Sequence, residues 1–206
     1  STPRSSSAAS DVYKRQKAVI SVSAELTRRL VALGVGEEKL HTIRNGVDLD
    51  QFRPIAEMCA DAKSAKVLLC VGNLVRLKGF DLAISALARI PDATLWIVGQ
   101  GPEARSLVEL ARRLKVEDRV TLLGRRTPDE VARLYNQATC LLLPSEHEGM
   151  PNVCLEALAS GLPVVATHTA GVTEILDRPA LGRIVRTRSD EDFARATIET
   201  LSLIHI

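Results

Sequence analysis

Leu141-Leu-Leu-Pro144-Ser-Glu-His-Glu148-Gly-Met-Pro-Asn-Val-Cys-Leu-Glu156-Ala-Leu-Ala-Ser-Gly161-Leu-Pro163-Val-Val reads as strand, broken loop, helix and second strand. Leu141 to Pro144 is a short apolar run, the end of a buried strand. Ser145 to Pro151 is irregular, because Gly149 and Pro151 interrupt it. Asn152 is a good N-cap, so Val153 to Ser160 is expected to be a helix that Gly161 stops. A helix that starts just beyond a strand's C-terminal end offers backbone N–H groups to an anion. In open α/β sheets ligands occupy that crevice. Glu156 lies about one turn into the helix, where its carboxylate can accept from vicinal hydroxyls. Glu148 sits on the loop in front. A glutamate near a helix start is commonly only a dipole partner. The pair, the glycine loop and the strand end together fit a polyhydroxylated, diphosphate-linked ligand.

The rest of the chain alternates in the same way. Strands are expected near 66–71, 94–98, 119–123, 139–143, 163–166 and 182–185. Helices are expected near 79–90, 103–115, 128–137, 153–160, 171–177 and 190–200. Such alternation means a parallel sheet covered on both faces, and right-handed crossovers make it doubly wound. Ahead of it, 18–22, 24–33 and 39–43 read as a separate strand, helix and strand.

Composition excludes several classes. The chain has 206 residues, 46% hydrophobic, enough for one full domain and part of another. Aromatic content of 3% argues against recognition of single-stranded nucleic acid by stacking, and a net charge of +2 is too mild for a nucleic-acid footprint. Cys59, Cys70, Cys140 and Cys154 form no C-x2-C pair and suit buried free thiols in a reducing compartment. No apolar run approaches the roughly 18 residues of a membrane span. His41 and His168 lack metal-ligand spacing, and His147 is read as an ordinary loop histidine. Asp48-Leu-Asp50 follows an Asn-Gly turn, where acids cap the backbone, so it is read as a turn and not as a metal site.

Glu148-x7-Glu156 followed by Ala-x-Ala-x-Gly-x-Pro-Val-Val resembles the retaining, nucleotide-sugar-dependent glycosyltransferases of family 4, which have the two-domain GT-B fold. Three further segments are similar to that family. Arg44-Asn-Gly-Val-Asp48, with Phe52 and Pro54, matches its crossing between domains. Val71-Gly-Asn-Leu-Val-Arg-Leu-Lys78-Gly-Phe-Asp81 matches its phosphate-binding loop, and Ile97-Val-Gly99-Gln-Gly101-Pro the turn after its second strand. The resemblance covers about residues 17–200.

The resemblance implies a Rossmann-like C-terminal, nucleotide-sugar-binding domain at 66–200, preceded by the last β-α-β piece of the N-terminal, acceptor domain with the crossing at 17–54 and a linker at 55–65. Ser1 to Ser10 is polar and of low complexity, Asp11 to Gln16 and Leu201 to Ile206 resemble translated sequencing adaptors, and both ends, 1–16 and 201–206, are expected to be non-native.

The donor implied is a UDP-, GDP- or ADP-sugar, with no metal or other cofactor. Lys78 would neutralise the diphosphate, Glu148 would face the sugar and Glu156 would hold the ribose. Gly149, Met150, Pro151, Asn152 and Val153 would surround sugar and phosphate through their backbone. Gly72 would let backbone approach the phosphate, and Arg125 would frame the base. The family usually has Arg where this chain has Asn73, so Arg76 becomes the candidate to replace it. The acceptor is unknown and would bind to the absent half, as would any peripheral contact with the cytoplasmic face of a membrane. This half alone is expected to transfer nothing.

Three alternatives stay open. One is a GT-B sugar-nucleotide epimerase, another a non-catalytic nucleotide-sugar-binding module. A dinucleotide oxidoreductase fits worst, because Gly99-Gln-Gly101 lacks the third glycine and the acid about twenty residues on.

Overall fold

The computed structural model describes residues 16–56 and 66–204, with no side-chain description at Ile204. Most of the expected linker, and Cys59 with it, lies outside the described residues. The chain divides into two compact units between Gly46 and Val47.

The first unit is a small β-α-β piece. Strand β1 (Val19–Ser21) pairs in parallel with β2 (Leu40–Thr42), and α1 (Ala24–Ala32) connects them. Ser23 starts the helix: its hydroxyl accepts from the Leu26 N–H at 3.2 Å. Val19, Leu30 and Val35 form its buried core.

The second unit holds β3 (Lys66–Val71), α2 (Phe80–Leu87), β4 (Ala93–Val98), α3 (Ala104–Arg113), β5 (Val120–Gly124) and α4 (Pro128–Gln137). Then come β6 (Cys140–Leu143), α5 (Asn152–Ala159), β7 (Val164–Thr167), α6 (Ala170–Thr173), β8 (Gly182–Val185) and α7 (Asp190–Ile204). The strands form one parallel six-stranded sheet in the order β5-β4-β3-β6-β7-β8.

The continuous apolar runs follow from burial on both faces. Because strand residues alternate sides, Leu68, Cys70, Leu95, Ile97 and Leu142 face one way. They pack under Phe80 and Ile84 of α2, Leu107 of α3 and Phe193 of α7. Leu69, Leu141, Leu143 and Val164 face the other way, against Tyr135 of α4, Cys154 of α5 and Val172 of α6. Two buried layers on opposite sides are the doubly wound arrangement the alternation predicts.

Helix boundaries differ at three places. The cap of α5 is Pro151 and not Asn152, which is already helical. Pro151 takes the extended conformation a proline favours, and its carbonyl accepts from the Cys154 N–H at 3.1 Å. Helix α6 is shorter than expected, four residues. Helix α7 runs on to Ile204, because Leu201 falls two turns beyond Phe193 on the same face and is buried in the same core.

Burial raises the pKa of Cys70, and it pushes those of Cys140 and Cys154 up to about 12. A raised folded pKa favours the thiol, so its contribution to stability is present below the unfolded value and is lost as pH rises towards the folded one. In a Cys59→Ser background, Ellman's reagent at pH 8 is expected to find no reactive thiol until denaturant is added. Leu69, fully buried, should cost about 2–5 kcal/mol as Leu69→Ala in urea unfolding.

Candidate functional site

The strand order reverses between β3 and β6. From β3 the chain winds outward to β5, and from β6 outward to β8. Neighbouring crossovers therefore leave on opposite faces here, opening a crevice at the strands' C-terminal ends. Two loops border it, residues 72–79 after β3 and 144–151 after β6.

Backbone contacts hold these loops together. The Glu146 N–H donates to Leu77 O at 2.9 Å. Gly79 has φ of 64°, and a Cβ there would lie 2.2 Å from Pro144 O. Only glycine takes that conformation without strain and leaves room for the second loop. Arg188 Nη1 donates to the same Pro144 oxygen at 3.0 Å.

Side chains then span the crevice. Lys78 Nζ donates to Glu148 Oε1 at 2.7 Å. The Glu148 side chain is 10% exposed and the Lys78 side chain 29%, so the pair is largely withdrawn from water. At that depth desolvation offsets much of the Coulomb attraction, so the pair is a weak reason for the fold to exist. Lys78 nevertheless keeps two of its three N–H donors beyond this bond. The lysine and glutamate expected to act on phosphate and sugar are thus bonded to each other.

Glu156 lies on α5, half-buried, and its Oε2 accepts from the Tyr135 hydroxyl at 2.9 Å. Burial pushes its carboxyl pKa up, and the Tyr135 bond opposes that shift. Burial, then the Glu156 charge, raise the Tyr135 phenol well above its ordinary value. The N-terminus of α6 supports the loop between: a Cβ on Gly171 would sit 1.9 Å from Gly149 O. Ser145 Oγ and Thr169 Oγ1 are buried and have no hydrogen-bond partner among the described residues.

The other expected residues are spread around this centre. The methylene stem of Lys78 passes Gly72, whose added Cβ would meet Lys78 Cε at 3.7 Å. Met150 and Pro151 are buried, Val153 is half-buried, and Gly149 and Asn152 are exposed. Asn73 is exposed. Arg76 is exposed and lines a separate cleft of about 410 Å³ with Asp81, Glu103 and Arg113. Arg125 is exposed at the end of β5, the sheet's edge strand. Gly99 serves packing, since its Cβ would lie 1.8 Å from Gly72 O. Asp48 Oδ1 accepts from the Asp50 N–H at 2.9 Å, a turn cap as its position predicts. Among the described residues no three His, Cys, Asp or Glu side chains gather as a metal site. No described helix is long and apolar enough to cross a membrane.

Reasoning from sequence missed Tyr135, Gly171, Ser145 and Thr169. Tyr135 gives no signal of its own, because an aromatic on the apolar stripe of an amphipathic helix reads as core.

A doubly wound domain with a ligand crevice at its switch point is the architecture of GT-B glycosyltransferases, and comparison with known proteins places the chain within it. The sequence model of the family described as "Glycosyl transferases group 1" matches residues 65–202. The D-inositol 3-phosphate glycosyltransferase of Mycobacteroides abscessus is 34% identical over 174 residues, which cover 79% of this chain and 39% of that protein. The GDP-mannose-dependent alpha-(1-6)-phosphatidylinositol monomannoside mannosyltransferase of Mycobacterium tuberculosis is 31% identical, covering 89% of this chain and 52% of its own. HepE of Anabaena, solved in complex with UDP-glucose, shares the fold with a TM-score of 0.88 at 22% identity, over 97% of this chain and 58% of that one. The chain belongs to the glycosyl transferases group 1 family. It spans about half the length, or less, of the curated relatives it matches.

In a Tyr13→Phe background, the 295 nm absorbance of phenolate should stay low in the folded chain at about pH 10, where an unfolded tyrosine is half ionised, and appear with unfolding. A raised phenol pKa means stability that is held below about pH 10, the unfolded value, and lost above it. A phenolate that titrates near pH 10 in the folded chain would contradict the buried Tyr135–Glu156 bond.

Proposed function

We propose that this chain is the donor-binding half of a retaining glycosyltransferase, which moves a hexose from a nucleotide diphosphate-sugar to a glycan or glycolipid acceptor. The Lys78–Glu148 bond across the switch point carries this reading. It sets a cation and an anion side by side where a sugar diphosphate needs both.

In transfer, the bond between the sugar's anomeric carbon and the phosphate oxygen breaks. A bond to an acceptor hydroxyl oxygen forms, and that hydroxyl loses its proton. The diphosphate leaves with two to three negative charges. Lys78 neutralises part of that charge through its remaining donors, and the first turn of α5 presents backbone N–H groups towards it. Glu148 accepts from sugar hydroxyls and keeps Lys78 aimed across the crevice. Glu156 accepts from the ribose hydroxyls. Met150, Pro151 and Val153 close the walls, Gly72 lies beneath the Lys78 stem, and Arg125 borders the base. No metal is required in this scheme, because protein groups supply the positive charge.

Several relatives support a cell-envelope role by their names alone, such as the putative colanic acid biosynthesis glycosyltransferase WcaL of Escherichia coli. These names favour bacterial polysaccharide or glycolipid synthesis as the setting, and the donor is read as a UDP-, GDP- or ADP-sugar. The acceptor would enter from the remaining half, on the cytoplasmic side and in peripheral contact with the membrane. Closure of that half excludes water, so this chain alone should bind donor and transfer nothing.

Thermal melts with UDP, GDP, ADP and their sugar conjugates test the reading. One nucleotide should stabilise the chain, by about 2.7 kcal/mol at a hundredfold excess over Kd. Glu156→Gln should melt no lower than the parent without ligand, since it removes a half-buried charge, yet show a smaller nucleotide shift. A cooperative melt indifferent to every nucleotide would refute the proposal. In the full-length enzyme, Lys78→Ala should lower turnover about 10²–10³-fold, the scale of one lost electrostatic donor. Epimerised nucleotide sugar without transfer would select the epimerase alternative, and tight binding with no turnover the binding-module one.

A further inference from the structure

Tyr135 is held more firmly than its place on a helix requires. Its ring is 1% exposed and meets the Phe52 ring edge-on, centroids 6.0 Å apart at 62°. The next residue, Asn136, fixes the segment that carries Phe52: its Oδ1 accepts from the Ile55 N–H at 2.7 Å, and its Nδ2 donates to Arg53 O at 3.0 Å. The phenol has one rotatable proton, and it goes to Glu156 Oε2 at 2.9 Å.

A glutamate side chain has three torsions, and a half-buried carboxylate on a helix flank can turn among several orientations. Accepting from two adjacent hydroxyls needs both oxygens in one plane facing them. Anchoring one oxygen to a rigid phenol fixes that plane and leaves the other oxygen, with the remaining lone pair of the first, open to a ligand. A purely structural role, in which Glu156 only satisfies a buried hydroxyl, has the same geometry but different consequences for binding.

We infer that Tyr135 is a positioning residue, which orients the Glu156 carboxylate so that it recognises the vicinal ribose hydroxyls of the nucleotide. This rests on the donor-site reading above. Phe52 and Asn136 keep the phenol in place, so the segment that leads into the domain contributes to the ribose site without touching the ligand.

The test is calorimetric titration of the 206-residue chain with UDP, GDP and ADP and with the 2′,3′-dideoxy form of each. The variants are Tyr135→Phe, Glu156→Gln and the double variant. Tyr135→Phe keeps the ring and its contact with Phe52, and a cooperative thermal melt verifies its fold. The ribonucleotide that binds the parent should bind Tyr135→Phe about threefold to tenfold more weakly. Its dideoxy form should bind parent and Tyr135→Phe alike. The double variant should bind the ribonucleotide no more weakly than Glu156→Gln alone, because Tyr135 acts only through Glu156. Equal weakening of the ribo and dideoxy forms, additive losses in the double variant, or no loss in Tyr135→Phe would each overturn the inference while leaving the donor site standing. If no nucleotide binds the parent, the donor-site reading fails and takes the inference with it.

Discussion

The structure depends on the pairing of β3 with β6. Leu68 lies opposite Cys140 and Leu69 opposite Leu141, in parallel, although the strands are far apart in the chain. A parallel neighbour requires a crossover, and here everything from α2 to α4 intervenes. Once these two strands lie side by side, the loops after them must meet. Each feature of the site follows from that meeting: Gly79 against Pro144, Leu77 against Glu146, Lys78 against Glu148. The helices then diverge to opposite faces, and the crevice is what their divergence leaves.

The charged groups at the crevice contribute little to stability. A pair as withdrawn as Lys78 and Glu148 gains little net free energy over apolar neighbours. Glu156 fares worse, since burial raises its pKa and the fold would be easier to hold with that carboxyl protonated. The sheet's two apolar layers carry the stability that these charges do not. Fully buried Leu69, Leu95, Ile97 and Leu142 each contribute on the order of 1.5–3 kcal/mol of transfer free energy. A rigid core is what allows charged groups to remain at the strand ends.

Much of this was legible in the chain itself. The strands read as buried because Lys66-Val-Leu-Leu-Cys-Val71 and Cys140-Leu-Leu-Leu143 have no polar alternation. Gly149 and Pro151 marked the loop, and the glutamates eight positions apart pointed to the candidate site at the strand ends. The Lys78–Glu148 bond was not legible, because its partners are 70 positions apart and meet only through the reversed strand order. Tyr135 was hidden for another reason: its ring does the work of a core residue, and only coordinates show where its hydroxyl goes. Pro151 shows how a boundary shifts, since Asn152 has the better capping side chain but proline's fixed φ sets the turn first. The start of α4 was a signal left unread. Thr127-Pro-Asp-Glu130 is a reciprocal cap, with the Thr127 N–H donating to Glu130 Oε2 at 2.8 Å.

The central claim is that the crevice between the β3 and β6 loops holds a nucleoside diphosphate. A crystal structure of the chain grown with UDP, GDP or ADP tests it most directly. The account predicts the diphosphate between Lys78 and the first turn of α5, with the ribose hydroxyls on Glu156. Nucleotide bound instead in the cleft that Arg76 shares with Arg113, with Lys78 and Glu148 still bonded only to each other, would contradict it.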